Sequence, residues 1–202
     1  MRNNTIFYRI LRLDKYIYSE LVTDKASLQK GVAIWLSGSI ISTLSVTTFL
    51  KNLVVYVKQI ISESSAELPL VSIAEFQTLL IEIEDSFEFI DNTSTLITSQ
   101  LFGFINVFVS VLIIYLVLKY FFKREPNLIF IAVIYGFSSI PILLNAPILF
   151  FNSIPLQGII LLSTSIFSLV CLGSGLKQVY MLRNIEAILL ILFSGFSTLI
   201  TL

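Results

Sequence analysis

The 202-residue chain is 56% hydrophobic and only 13% charged, its mean hydropathy is +0.91, and 13 Lys and Arg balance 13 Asp and Glu. That composition belongs to membrane proteins rather than soluble domains, and a neutral chain has no general electrostatic pull toward nucleic acid. Histidine is absent, which removes the commonest metal and haem ligand, the usual general base and an imidazole ligand for chlorophyll; the lone Cys171 makes neither an internal disulfide nor a zinc site.

Residues 1–30 show no continuous apolar core of about 7–15 residues such as a secretory signal carries. Ile6, Ile10, Leu13 and Ile17 fall on one helical face, with Arg9, Arg12, Lys15 and Glu20 mostly opposite. The pattern predicts an amphipathic helix or helix pair with a break near Asp14. Its basic side chains Arg9, Arg12 and Lys15 suit anionic head groups at a membrane surface, and its apolar face suits packing under a bundle equally well. Asp24 is placed to cap the helix that follows.

Residues 31–202 predict five crossings, near 31–50, 101–118, 128–151, 156–176 and 185–202. Each approaches the roughly 20 apolar residues that span about 30 Å of hydrocarbon, and none carries an interior charge. The expected fold is all-α: a polytopic membrane bundle with an N-terminal amphipathic segment and an acidic helical loop.

That loop, 51–100, holds Glu63, Glu67, Glu75, Glu82, Glu84, Asp85, Glu88 and Asp91, eight of the thirteen acidic residues. Its first part, Asn52 to Ile61, extends the first span's helix. After Pro69, Phe76, Leu79, Leu80, Ile83, Phe87 and Ile90 recur at helical spacing, predicting a second amphipathic helix. Its acidic face, with Glu75, Glu82, Asp85 and Glu88, reads as a solvated surface, a docking surface for a partner subunit, or a weak collector of divalent cations. The calcium-loop pattern is missing.

The third span contains Tyr135-Gly136-Phe137-Ser138-Ser139-Ile140-Pro141, then Asn145 and Pro147. Prolines inside a membrane helix free carbonyls that neighbouring helices, hydroxyls or water must satisfy. Ser138, Ser139 and Asn145 are placed to help. Transporters build substrate sites from such interruptions, so a structural kink and a transport site are both on the table. A short turn around Asn152 and Ser153 then makes spans three and four a tight hairpin. Ser37-Gly38-Ser39 and Gly173-Ser174-Gly175 predict close helix packing. Arg183 and Glu186, three residues apart, predict a local ion pair at the start of span five.

Cations alternate with the crossings. They precede span one, separate spans two and three at Lys119, Lys123 and Arg124, and separate spans four and five at Lys177 and Arg183. The positive-inside rule then puts the N-terminus on the cytoplasmic or stromal side and the C-terminus opposite. No nucleophile with a base, paired acid or ligand set for catalysis lies within the spans, so an enzyme is not expected.

The Tyr135–Pro141 stretch, the five spans, and Gly175-Leu176-Lys177-Gln178 leading through Arg183 and Ala187 into the last span resemble the Yip1 domain family. The run Leu11-Arg12-Leu13-Asp14, Tyr18-Ser19-Glu20 and Asp24-Lys25-Ala26 is similar to the opening of bacterial, especially cyanobacterial, members. The family usually joins spans one and two briefly, and its Gly-rich approach to span three is replaced here by Lys119–Pro126. The resemblance implies a five-helix membrane protein without known catalytic residues. Eukaryotic relatives act in vesicle traffic with Rab-type GTPases, although this chain has no nucleotide-binding loop.

Thirty Ile and 17 Phe against 8 Gly and 7 Ala fit an AT-rich coding sequence. An AT-rich bacterium is one source; a plastid, with the protein in thylakoid or inner envelope, is preferred. The reading is a non-enzymatic scaffold, assembly factor or accessory subunit, with membrane lipids and membrane-protein subunits as partners and no cofactor beyond structural lipid. A small channel or transporter using the third span is the alternative.

Overall fold

The computed structural model describes residues 3–64, 78, 81–82 and 93–200, and these are helical or connecting, with no strand among them. Two short helices, α1 (Asn3–Leu11) and α2 (Ile17–Leu21), precede α3 (Ser27–Ser64). Then come α4 (Thr93–Tyr120), α5 (Leu128–Ser138), a 3₁₀ segment (Ile140–Phe150), α6 (Ile154–Tyr180) and α7 (Asn184–Ile200).

Four stretches are long and apolar enough to cross a membrane: Ser27–Ser62, Gln100–Tyr120, Leu128–Phe150 and Ile154–Tyr180. The fifth expected span coincides with α7, whose 17 residues reach about 25 Å. Its described apolar part, Asn184–Phe193, is shorter than the other four. The 38 residues of α3 reach about 57 Å, so that helix continues well past a hydrocarbon layer of about 30 Å, through the Asn52 to Ile61 extension expected of it.

Burial separates the spans. Of the most apolar window in each, 56% is buried in Leu128–Phe150 but only 17% in Ser27–Ser62, so the third span is the axis and α3 lies on it from outside. Outward faces are apolar: Phe102 and Phe108 on α4, Ile159 and Leu162 on α6, and Ile185 and Leu192 on α7 are all exposed. A soluble protein would not leave such surface in water; in lipid it costs nothing.

Ends and turns follow local chemistry. Asp24 Oδ1 accepts from the Ala26 N–H (3.1 Å) and Oδ2 from Ser27 Oγ (3.3 Å), which starts α3 as expected. The first break falls at Leu13, whose φ of 54° is left-handed, one residue before Asp14. Asn127 caps α5 by accepting from the Ile129 N–H (2.8 Å), and the Tyr180 hydroxyl donates to Asn127 O (3.2 Å), tying that turn to the end of α6. At the start of α7 the Glu186 carboxylate accepts from the backbone N–H of Arg183 (2.8 Å). This corrects the expected side-chain ion pair: an unpaired helix-terminal N–H is the nearer and more demanding donor.

The acidic surface falls largely beyond this description. Glu75, Asp85 and Glu88 lie outside the described residues; Glu82 is helical and exposed.

Candidate functional site: the third span and its cap

The interruption of the third span is an α-to-3₁₀ conversion. Pro141 and Pro147 lack the N–H groups that an α-helix would give to Phe137 O and Leu143 O, and the Ser138 (2.7 Å) and Ser139 (3.3 Å) hydroxyls both donate to Tyr135 O. The resulting 11-residue 3₁₀ run is far beyond the usual three or four. At about 2.0 Å per residue it reaches about 22 Å, so with Ser139 and the 11 residues of α5 it makes a 23-residue stretch, Leu128–Phe150, long enough to cross the hydrocarbon.

Side chains from other helices meet the carbonyls along it. Ser45 Oγ on α3 donates to Asn145 O (3.1 Å) and Ser168 Oγ on α6 donates to Ser138 O (2.8 Å). Gln157 Nε2 donates to Ile148 O (3.2 Å) and to Phe151 O, while its Oε1 accepts from Asn52 Nδ2 on α3 (3.2 Å). Thr164 Oγ1 lies 2.5 Å from Asn145 Oδ1, with Ile160 O and Leu161 O as competing acceptors. Ser45, Ser138, Asn145, Gln157 and Thr164 are all buried. Polar groups that would otherwise form a ligand site are thus engaged with one another and with backbone, where an unpaired carbonyl in hydrocarbon would cost several kcal/mol.

The α-half of the span is fitted by shape instead. A Cβ on Gly136 would stand 2.6 Å from the Gly31 carbonyl, so α3 and α5 meet backbone to backbone. A Cβ on Gly175 would stand 2.5 Å from Ile134 Cγ2 and 3.0 Å from the Tyr18 ring. Tyr135 is half-buried at the same level.

Tyr18 belongs to the N-terminal segment, which packs as a cap on the bundle. Ile6, Ile10, Ile17, Tyr18 and Leu21 are all buried in the main core, and Gln178 on α6 fastens them. Its Nε2 donates to Asp14 O (3.0 Å) and its Oε1 accepts from the Tyr18 N–H (3.3 Å). The Tyr18 hydroxyl is buried beside the Cys171 thiol with no nitrogen or oxygen partner among the described residues, and burial first, then Cys171, pushes its phenol well above the usual range. Apolar contact carries this docking: burying an Ile or Leu side chain is worth about 1.5–3 kcal/mol, whereas a surface ion pair gives about 0–1.

Of the three basic residues placed toward head groups, Arg9 faces its own segment. Nε donates to Asp14 (2.7 Å) and the two Nη groups fork onto Glu20 (2.6 and 2.8 Å), and these bonds hold both carboxyls below their ordinary range. Arg12 is exposed and stacks 4.2 Å above the Tyr8 ring; Lys15 is exposed.

Two grooves flank the third span. One, of about 260 Å³, lies among α3, α4 and α5 and is walled by Trp35, Phe104, Phe108, Ala132 and Tyr135. The other, of about 380 Å³, lies among α1, α3 and the 3₁₀ segment. Neither is lined by Ser138 or Asn145. Among the described residues no three His, Cys, Asp or Glu side chains gather as a metal site. No family model, curated protein or solved structure matches the chain.

Proposed function

We propose that this is a five-crossing, Yip1-like integral membrane protein that works without catalysis, as a scaffold, assembly factor or accessory subunit of a membrane complex. One observation carries the proposal. The buried polar side chains around the third span are directed at backbone carbonyls and at each other, so the span serves as an internal strut and leaves the outer surfaces to do the binding.

Those surfaces are the apolar outer faces of α3, α4, α6 and α7, the cation-bearing cap, and the acidic loop. The alternation of cations supports the cap lying on the cytoplasmic or stromal side, with α7 as the fifth crossing. The isoleucine-rich composition fits an AT-rich genome, bacterial or plastid, and the resemblance to cyanobacterial members favours a plastid membrane.

The test is purification of the full chain from its own membrane in mild detergent, with mass spectrometry of what accompanies it. Stoichiometric subunits that vanish when residues 66–91 are deleted, while the spans stay inserted, support the acidic loop as the docking surface. A chain that purifies alone and conducts solute flux when reconstituted overturns the proposal in favour of a transporter.

A further inference from the structure

The groove among α1, α3 and the 3₁₀ segment differs from its neighbour in carrying one charged wall. Among the described residues Lys30 is the only ionisable side chain lining it, and Phe7, Ala33, Phe137, Ile140 and Leu143 make much of the rest. We propose that it binds one anionic phospholipid, with the phosphate at Lys30 and an acyl chain along Ala33, Phe137, Ile140 and Leu143. The proposal rests on the membrane reading above, with the cap at the cation-rich surface.

Size favours a lipid chain over a helix. A helix with its side chains is at least about 10 Å across and fills roughly 420 Å³ per turn, so a groove of about 380 Å³ falls short of one turn. An extended acyl chain needs only the length that the walls offer. Phe137 to Leu143 rises about 11 Å, and Lys30 stands about one helical turn ahead of Ala33 and Ile34 on α3. Ala33 is exposed and small, which leaves the groove open along α3, on the side where lipid enters.

Charge selects the head group. Lys30 Nζ donates to Asp24 Oδ2 at 3.1 Å, but both side chains are about two-fifths exposed, at 40% and 46%, and such a pair is weak. An ammonium has three donors, so two remain for phosphate oxygens. Residues 1–30 set Arg2, Arg9, Arg12, Lys15, Lys25 and Lys30 against only Asp14, Glu20 and Asp24. Arg9 takes two of those carboxylates and Lys30 the third, so Arg12, Lys15 and Lys25 have no carboxylate partner among the described residues. The local field therefore favours an anion over a zwitterion.

Native mass spectrometry of the full, delipidated chain tests this, with dioleoyl phosphatidylglycerol or dioleoyl phosphatidylcholine added back. The expected result is one retained phosphatidylglycerol, favoured about tenfold over phosphatidylcholine, as one charge-assisted contact would give. Lys30→Gln should abolish the preference while leaving retention of an acyl chain. Ala33→Phe, which fills the groove from its open side without touching the core, should lower retention of both lipids; Lys25→Gln should change neither. Equal retention of the two lipids by the wild type, an unchanged preference in Lys30→Gln, or an equal loss in Lys25→Gln would overturn the site. So would a polypeptide, rather than lipid, released by Ala33→Phe. Alkaline extraction of membranes separates the two levels of failure: a chain found in the soluble fraction refutes the membrane reading itself, whereas one that stays in the pellet but shows no lipid preference refutes only the site.

Discussion

Along α5 the third span is held by shape, with Gly136 against the Gly31 backbone and Gly175 making room for Ile134 and Tyr18; along the 3₁₀ segment it is held by hydrogen bonds from Ser45 and Gln157, with Ser168 bonding Ser138 O at the junction of the two. Lipid rewards neither half with a hydrophobic effect between helices, so association depends on close packing or on carbonyls that need donors. Regular helix satisfies its own carbonyls and is free to use glycines for contact. The proline-bearing half recruits donors from two other helices, and recruiting them ties those helices together.

Substitutions in the two halves should therefore fail differently. The largest effect belongs to Gly136→Leu, because even a Cβ there meets backbone at 2.6 Å that cannot move aside. Overpacking a close contact costs about 1–3 kcal/mol and occasionally more. The expected outcome is loss of a monodisperse peak in detergent size-exclusion chromatography, and normal behaviour would show that α3 and α5 do not touch as described.

Gln157→Leu comes next. It keeps the volume but strips donors from Ile148 O and Phe151 O, which should cost about 1–3 kcal/mol and lower the thermal midpoint without aggregation. An unchanged midpoint would remove the hydrogen-bonded half of the comparison.

Gln178→Leu should act only on the cap. The bundle should retain its midpoint within error, while limited proteolysis cleaves near residues 12–24 faster than in wild type. Cleavage at an unaltered rate would mean that buried apolar side chains alone hold the segment.

The smallest effect is that of pH on the same cap. Asp14 and Glu20 have folded values depressed by Arg9, so their contribution is complete above the unfolded carboxylate range near 4 and is lost as pH falls through the lower folded values. Proteolytic protection of the cap should be flat from neutral pH to about 5 and decline only below about 4. An Arg9→Gln variant should show a weaker decline, and a decline already present at pH 6 would point to other groups.

Much of this architecture is legible in the sequence because membranes impose long apolar runs, and Pro141 and Pro147 announce an interruption by chemistry alone. The direction of the interruption is not. Ser138 and Ser139 sit in the sequence beside the carbonyl they bond, whereas Ser45 reaches Asn145 across 100 residues and Ser168 reaches Ser138 across 30, and no local period encodes such pairs. Gln157 offered a signal in retrospect: a large amide within the first turn of an apolar helix, two residues after Pro155. The amphipathic face of residues 1–30 was plain, but periodicity cannot say whether lipid or protein covers it. The Tyr18 slot required knowing which glycine faces it. Arg183 and Glu186 illustrate the limit of spacing rules, since the right distance produced a backbone cap instead of an ion pair.

The central claim is that the polar middle of the third span is sealed. In a Cys171→Ala background, which removes the only native thiol, Ser138→Cys, Asn145→Cys and the exposed interfacial control Gln29→Cys can each be treated with a membrane-impermeant cationic methanethiosulfonate. The account predicts rapid labelling at 29, with none at 138 or 145 until the protein is denatured. Labelling of 138 and 145 at a rate comparable to 29 in folded protein would mean that water reaches the middle of the span, and the strut would have to be read as a pathway.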